Sequence, residues 1–335
     1  MNFLKSLNDI SIDTISNLTD SKINKIFIQA RWDNQPICIH CGSFKRYNIK
    51  DKNNNIIRFK CKDCHKHFSI TSDTLFDNHK LPLRKYLLAI LLFVNSVKGI
   101  SSLQLARDLN ISNKVAYVIL HKIRVALFRQ YELLSQNKLR GTVQIDGAYI
   151  NHKPKQANKK KDRIDRRKAE YIDQQCIITM REIDSDGKSY RTYAFITKSE
   201  NKAEIEYLVD RYIERGSFLI TDEHSAYKSL QEMGYETDSV NHSVEYESDS
   251  GINTNQAESY FSRLRRMVIG QHHRLSNKYL DLYVNEITYR ENMRIFSNKE
   301  ILIDLLEHCM KCDNSTIFNG YNQRYNGAIK HFKDF

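Results

Sequence analysis

The sequence lacks any apolar run long enough to cross a bilayer. The longest, Tyr86 to Val94, holds nine residues, where a spanning helix needs about 20. It reads as a buried helix, and no membrane partner is expected. No N-terminal stretch combines a basic flank, an apolar run and a small-residue cleavage site. A secretory leader is therefore not expected, and the chain is expected in the cytoplasm, associated with the nucleoid. Internal repeats and long low-complexity linkers are missing as well. Negative charge is in deficit, with 40 Asp and Glu against 52 Lys and Arg, a net charge of +12 and a pI near 9.2. Such a balance fits a polyanionic partner better than an acidic small molecule, although a well-solvated basic surface gives the same count.

What is present divides the chain. At 335 residues and 41% hydrophobic content it has material for two or three cored domains. Residues 1–35 carry helical apolar spacing (Ile15, Leu18, Ile23, Ile26, Phe27) and no recognisable chemistry. Residues 36–72 hold four of the seven cysteines, and residues 80–133 hold helical patterns with few breakers. From Gly141 the texture changes to short strand-like runs, TVQIDGAYI, QQCIITMREI, YRTYAFIT and SFLITD. A hairpin turn is expected at Asp184 to Lys188, and a helix near Ala203 to Glu214. Three meandering strands, then helix, strand, helix predict a mixed α/β sheet over residues 140–296. Residues 297–335 are read as a C-terminal tail.

Cys38-x2-Cys41 and Cys61-x2-Cys64 are two knuckles separated by nineteen residues. Each sits on a turn, with strand-like IIRFK leading into the second, a spacing that lets four thiolates close a tetrahedron around one structural zinc. His40, His65 and His67 are surplus to such a site and are read as surface or DNA-facing groups. Cys309-x2-Cys312, beside His308, is a lone pair and marks no site by itself.

Ser102 to Leu127 reads as a helix, a short turn at Asn110 to Ser112, and a second helix. Val115, Val118, Ile119 and Ile123 of that helix point inward. Its polar face offers Asn113, Lys114, Tyr117, His121, Lys122 and Arg124 to a major groove. The same pattern serves helical hairpins that never touch DNA; the zinc unit and the positive charge beside it favour a helix-turn-helix.

Three acids stand out in the second half. Asp146 follows the apolar strand residues Val143 and Ile145, Asp222 ends the run Phe218 to Ile220, and Glu258 opens a helix after the polar loop GINTNQ. Acids on adjacent strands with a third on a helix supply oxygen ligands for two magnesium or manganese ions about 3.5–4 Å apart, the arrangement used for in-line attack on a phosphodiester. Arg265 lies seven residues beyond Glu258. That is about two helical turns, so its guanidinium shares the carboxylate's face and can grip a phosphate.

These blocks together resemble the DDE transposases of bacterial insertion sequences that carry an N-terminal zinc ribbon, the ISXO-type group related to Merlin elements. The resemblance runs from about Pro36 to Arg294. It rests on RFKCKDCHKHFSITSDTLFDNHKLPLRKYLLAIL in the head, on VQIDGAYI and FLITDEHSAYKSL in the core, and most specifically on INTNQAESYFSRLRRMVIGQHHRLSNKYLDLYVNEITYRENMR. It implies a ribonuclease-H-like α/β core behind the zinc ribbon and helix-turn-helix, with Asp146, Asp222 and Glu258 as ligands of Mg2+ or Mn2+. Asn255 is a second candidate for the third position, since parts of the group carry Asn there. Arg265 stands where the family has a basic residue, more often Lys.

The resemblance further implies cleavage at terminal inverted repeats, 3′-hydroxyl strand transfer into target DNA, and a homodimer or larger assembly on DNA. A non-catalytic, domesticated DNA-binding protein and a nuclease of the same fold without strand transfer are the rival readings. Two departures from the family are visible. The acid that often follows the first catalytic Asp is Gly147 here. The glycine-rich turns after that strand are replaced by a run from His152 to Lys168 with nine Lys or Arg against two Asp. Lys159, Lys160, Lys161, Arg166 and Arg167 of this run are assigned to the DNA backbone, against the alternative of a solvated loop. His242, His272 and His273 are candidates for positioning or phosphate-binding groups, or equally for surface residues.

Overall fold

The structure, a computed structural model, describes residues 10–150, 175–240, 254–273, 275–314 and 318. The chain divides into two compact units: one holds residues up to Tyr131 with Gly270–His272 and the residues from Met293 on, the other Glu132–Ile269 with His273–Asn292.

The first unit begins with helices α1 (Ile12–Asn17) and α2 (Asp20–Trp32). The hydroxyls of Ser11 and Thr19 accept the N–H groups of Thr14 and Lys22, satisfying helix-end donors that otherwise lack partners. Ile23, Ile26, Phe27 and Ala30 recur at helical spacing on α2 and are buried. Strands β1 (Arg46–Lys50), β2 (Ile56–Cys61) and β3 (His67–Phe68) form an antiparallel sheet. Trp32, the only tryptophan of the chain, packs edge-on against Phe59 and Phe68 of that sheet, with ring centroids 6.0 and 6.1 Å apart.

Helices α3 (Leu83–Asn95), α4 (Ser102–Leu109) and α5 (Asn113–Leu134) follow. Asn110, in left-handed conformation at φ 48°, ends α4 and makes the turn into α5. The sequence reads residues from 297 on as a tail; in the structure Asn298–Lys311 form helix α9, started by a Ser297–Glu300 capping box and packed on α2 and α3.

The second unit is built on a five-stranded sheet of β4 (Thr142–Ile150), β5 (Gln175–Ile183), β6 (Ser189–Thr197), β7 (Phe218–Asp222) and β8 (Glu236–Val240), in the order β6-β5-β4-β7-β8. The first three strands form an antiparallel meander, and β7 and β8 add parallel to β4. This mixed order is ribonuclease-H-like, as expected. The turn between β5 and β6 is where the sequence puts it: Asp184 Oδ1 accepts the Asp186 and Lys188 N–H groups, and Gly187 takes φ 73°. Helix α6 (Lys202–Tyr212), capped by Asn201, crosses from β6 to β7. Helix α7 (Asn255–Met267) packs on β4 and β5, and α8 (Leu280–Asn292) packs on β6. Strand β8 is not legible as a strand in the sequence, because ETDSV has no apolar alternation.

Candidate active site

Parallel pairing of β4 with β7 matches Thr142 to Phe218, Val143 to Leu219 and Gln144 to Ile220. The pairing ends there; continued by two residues, the same register brings Asp146 level with Asp222, whose charge acts on Asp146. Each aspartate is held by the chain just beyond it: Gly147 N–H donates to Asp146 Oδ1 at 2.8 Å and His224 N–H to Asp222 Oδ1 at 2.9 Å. Glu258 comes from the first turn of α7, on the exposed face it shares with Asn255 and Arg265, while Ala257, Tyr260, Phe261 and Leu264 of that helix face inward. The Arg265 guanidinium lies 6.0 Å from the centre of the Phe261 ring.

Asp146 senses burial and the neighbouring acids. Burial raises its pKa to about 7; the Gly147 N–H opposes the rise, and the negative charges of Asp222, Glu200 and Glu258 add to it. Glu200 is a member of this group that sequence reasoning missed. Its own pKa is raised by burial and by Asp222, against a 2.5 Å hydrogen bond from the Tyr227 hydroxyl. The Glu200 carboxylate presses so closely on Gly147 that a Cβ there would lie 2.5 Å from it. A larger residue at this position would have to displace the end of the Glu200 side chain. A signal for Glu200 existed: in a three-strand meander the third strand ends at the same sheet edge as the first, and Glu200 follows β6 directly.

The cysteines are gathered more tightly. Cys38 Sγ lies 3.6 Å from Cys64 Sγ, and Cys41 Sγ 3.6 Å from Cys61 Sγ. Among the described residues these four form the one group of three or more Cys, His, Asp or Glu whose ligand atoms all lie within 4.8 Å of one another. Each knuckle turns on a left-handed residue right after its second cysteine, Gly42 at φ 73° and His65 at φ 60°. Backbone N–H groups of Cys64 and Asp63 lower the pKa of the Cys61 thiol, while, against the Ser43 N–H, burial and the neighbouring sulfurs raise that of Cys41, so the thiols titrate as one set.

The groove-facing assignment on α5 is corrected in part. Asn113 and Lys114 are exposed and Tyr117 is half-buried, but His121, Lys122 and Arg124 are buried. From Ile119 to Leu127 the helix is covered on every side, so its middle has no free polar face. His121 stacks on Phe318 with centroids 4.9 Å apart and also meets Tyr117. Burial, with the charges of Arg124 and His272, drops the His121 pKa well below its ordinary value. His272 and His273 lie at the end of the π-helical turn after α7, and Cys309 is buried in α9. Lys159, Lys160, Lys161, Arg166, Arg167 and His242 lie outside the described residues. Among the described residues no helix is long and apolar enough to cross a membrane.

Residues 138–292 match the family described as the ISXO2-like transposase domain, and residues 18–67 match the transposase zinc-ribbon domain. An uncharacterized protein in the transposable element ISH50 of Halobacterium salinarum is 22% identical over 304 residues, covering 87% of this chain and 97% of that protein. Among solved structures, the Mos1 strand transfer complex is 9% identical over 63% of this chain and 77% of its own, with a TM-score of 0.21. A pre-cleavage Mos1 transpososome is 10% identical over 66% of this chain and 76% of its own, with a TM-score of 0.24. With the ribbon cysteines gathered at one end of the sequence and the acids on a mixed sheet in the other half, the two family matches agree with the architecture: residues 138–292 are an ISXO2-like transposase domain, and residues 18–67 are a transposase zinc ribbon.

Proposed function

We propose that this protein cleaves DNA at the terminal inverted repeats of its element and joins the freed 3′-hydroxyl to target DNA. The observation that carries the proposal is the β4–β7 register, which sets Asp146 level with Asp222 where Glu258 also acts on Asp146. An all-carboxylate donor set suits hard divalent cations such as Mg2+ or Mn2+. When bound, such ions supply Lewis-acid stabilisation of the phosphodiester and lower the pKa of the attacking hydroxyl. Asp146, Asp222 and Glu258 hold them, with Asn255 as the alternative third ligand, and Glu200 adds a further negative charge at the same edge. Asp146, half-buried beside the other acids, would have its charge balanced by such an ion. Arg265 grips the DNA phosphate from the exposed face of α7.

In this reading residues 36–72 bind one zinc through Cys38, Cys41, Cys61 and Cys64 and recognise the element ends together with the start of α5, where Asn113, Lys114 and Tyr117 lie. Lys159, Lys160, Lys161, Arg166 and Arg167 contact the DNA backbone. Two ends must be brought together, so the working form is a dimer or larger assembly on DNA.

The test is a strand-transfer assay with the full zinc-loaded chain, DNA carrying the element ends, and Mg2+ or Mn2+, run beside Asp222→Asn. Metal-dependent joined products that the variant lacks are the expected result. Cleavage without joining would make the protein a nuclease, and tight end binding with neither product would leave a DNA-binding relic.

A further inference from the structure

The start of α7 is held in an unusual way. Thr254, at its N-cap position, makes no side-chain capping bond and has φ −105° and ψ 17°, outside the extended region that capping residues normally take. The acceptor comes from β4. Gln144 Oε1 receives the N–H groups of Gln256 at 3.0 Å and Ala257 at 3.2 Å, the second and third residues of the helix. On the neighbouring strand, the register partner of Gln144 is Arg181. Arg181 Nη1 donates to the Gln256 carbonyl at 2.8 Å, its Nε reaches Ser189 Oγ at 3.0 Å, and its Nη2 pairs with Glu291 of α8 at 2.9 Å. Glu291 is also bonded by Arg263 of α7. The N–H and the C=O of one residue, Gln256, are thus each gripped by one member of a cross-strand pair.

Both members of the pair are buried, Gln144 at 4% exposure and Arg181 at 1%. Buried polar and ionic groups contribute little net stability compared with apolar packing, so their value here lies in specificity of position. An apolar face would hold α7 on the sheet but let it slide or turn, and a shift of one residue rotates a helix by about 100°. Gln144 lies two residues before Asp146 on the same strand, so the two side chains share a face of the sheet. Glu258 lies two residues after Gln256.

We propose that Gln144 and Arg181 are positioning residues that index the first turn of α7 to β4, and so set Glu258 against Asp146 for divalent-metal binding. The inference rests on the metal-site reading of those two acids. Gln144 and Arg181 are buried beneath the start of α7 and act through Glu258.

The test is Mn2+ titration by calorimetry of the full, zinc-loaded chain, in four forms: wild type, Gln144→Met, Glu258→Gln and the double variant. Met keeps the length of the side chain and removes the acceptor. Residues that orient a metal's ligands typically contribute about 10- to 100-fold in affinity, so Gln144→Met should weaken Mn2+ binding by about tenfold or more. In the Glu258→Gln background the same change should have no further effect, because the residue it acts through is gone. Gln144→Glu, which restores an acceptor, should recover the first turn of α7, read as amide-exchange protection at Gln256 and Ala257. Should Gln144→Met fail to fold, Arg181→Lys replaces it in the same cycle. Unchanged Mn2+ affinity in the single variant, or an equal loss with and without Glu258, overturns the positioning role. No Mn2+ uptake by the wild type is a separate result, which removes the metal-site reading and this inference with it.

Discussion

The cysteine cluster and the carboxylate cluster of this chain are built on opposite principles. The four cysteines come from two short knuckles, and their sulfurs already lie within 4.8 Å of one another. The four carboxylates come from β4, the end of β6, β7 and α7, and among the described residues no three of them are gathered that closely. Thiols can sit together because they are neutral when protonated, and local turns bring them there. Carboxylates resist both burial and one another's charge, and the sheet that carries them imposes both: burial first, and neighbouring acids second, raise the pKa values of Asp146 and Glu200. The closed cluster suits a structural ion with every position filled; the open one leaves room for water and phosphate.

If that contrast is right, the largest effect belongs to the cysteines. Cys61→Ser should abolish zinc binding, which contributes about 10–16 kcal/mol to folding in small zinc domains, and should unfold the ribbon while the sheet unit keeps its own thermal transition. The single Trp32 packs on β2 and β3, so its fluorescence reports the ribbon alone. Metal analysis by atomic absorption together with that fluorescence checks the point. Full zinc content in Cys61→Ser would break the comparison at its first term. Next in size, Asp222→Asn or Glu258→Gln should lower strand transfer by roughly 100- to 1000-fold or more, the scale seen when one group that stabilises transition-state charge is removed, with zinc content and Trp32 emission unchanged.

A third effect distinguishes the clusters by pH. The folded protein holds the Asp146 proton more tightly than the unfolded chain, at about 7 against 3.8. The corresponding stabilisation is complete below the unfolded value and is lost as pH rises through about 7. Asp146→Asn carries no charge at any pH and does not lose it. In metal-free protein the variant should match wild type near pH 3.5 and be more stable at pH 8, by up to about 4 kcal/mol. Saturating Mn2+ should reverse the order at pH 8 by stabilising only the wild type. Urea unfolding at the two pH values, with and without Mn2+, is the measurement; equal stability at pH 8 would mean that neither burial nor the neighbouring acids hold the Asp146 proton.

The same contrast explains what could be read from the sequence. The ribbon was legible to the residue because all four ligands lie in two CxxC turns. Asp146 and Asp222 stood out because each follows apolar strand residues, Val143 and Ile145 in β4 and Phe218 to Ile220 in β7, and the meander with its hairpin at Asp184 to Lys188 followed from alternation and turn chemistry. Glu200 was not, since nothing near it in sequence points to Asp146; only the topology brings the end of β6 to that edge. Gln144 and Arg181 stood in plain view as polar residues inside buried strands, but their partner, the Gln256 peptide, lies 112 and 75 residues away. His121 and Lys122 misled for the opposite reason. Their spacing fits a polar face, yet covering residues as distant as Phe318 turn that face into core.

The smallest effect sharpens the carboxylate side alone. Gly147→Ala places a methyl group 2.5 Å from the Glu200 carboxyl, whose three end atoms are its nearest contacts. The obstacle is the end of a flexible side chain, so the fold should survive at a cost of about 1–3 kcal/mol, as for other overpacked sites. Glu200 must move to admit the methyl, giving up the hydrogen bond from Tyr227, and its charge then weighs less on Asp146. Gly147→Ala should therefore lower the Asp146 pKa, and Glu200→Ala should remove both the steric cost and the electrostatic one, so the double variant should be as stable as Glu200→Ala by itself. The carboxyl titration of Asp146, followed by NMR in the metal-free protein, reads the charge, and urea unfolding of the four forms reads the packing. If Gly147→Ala leaves the Asp146 titration where it was, Glu200 is a neighbour of the site by packing only, and the open cluster has three acids rather than four.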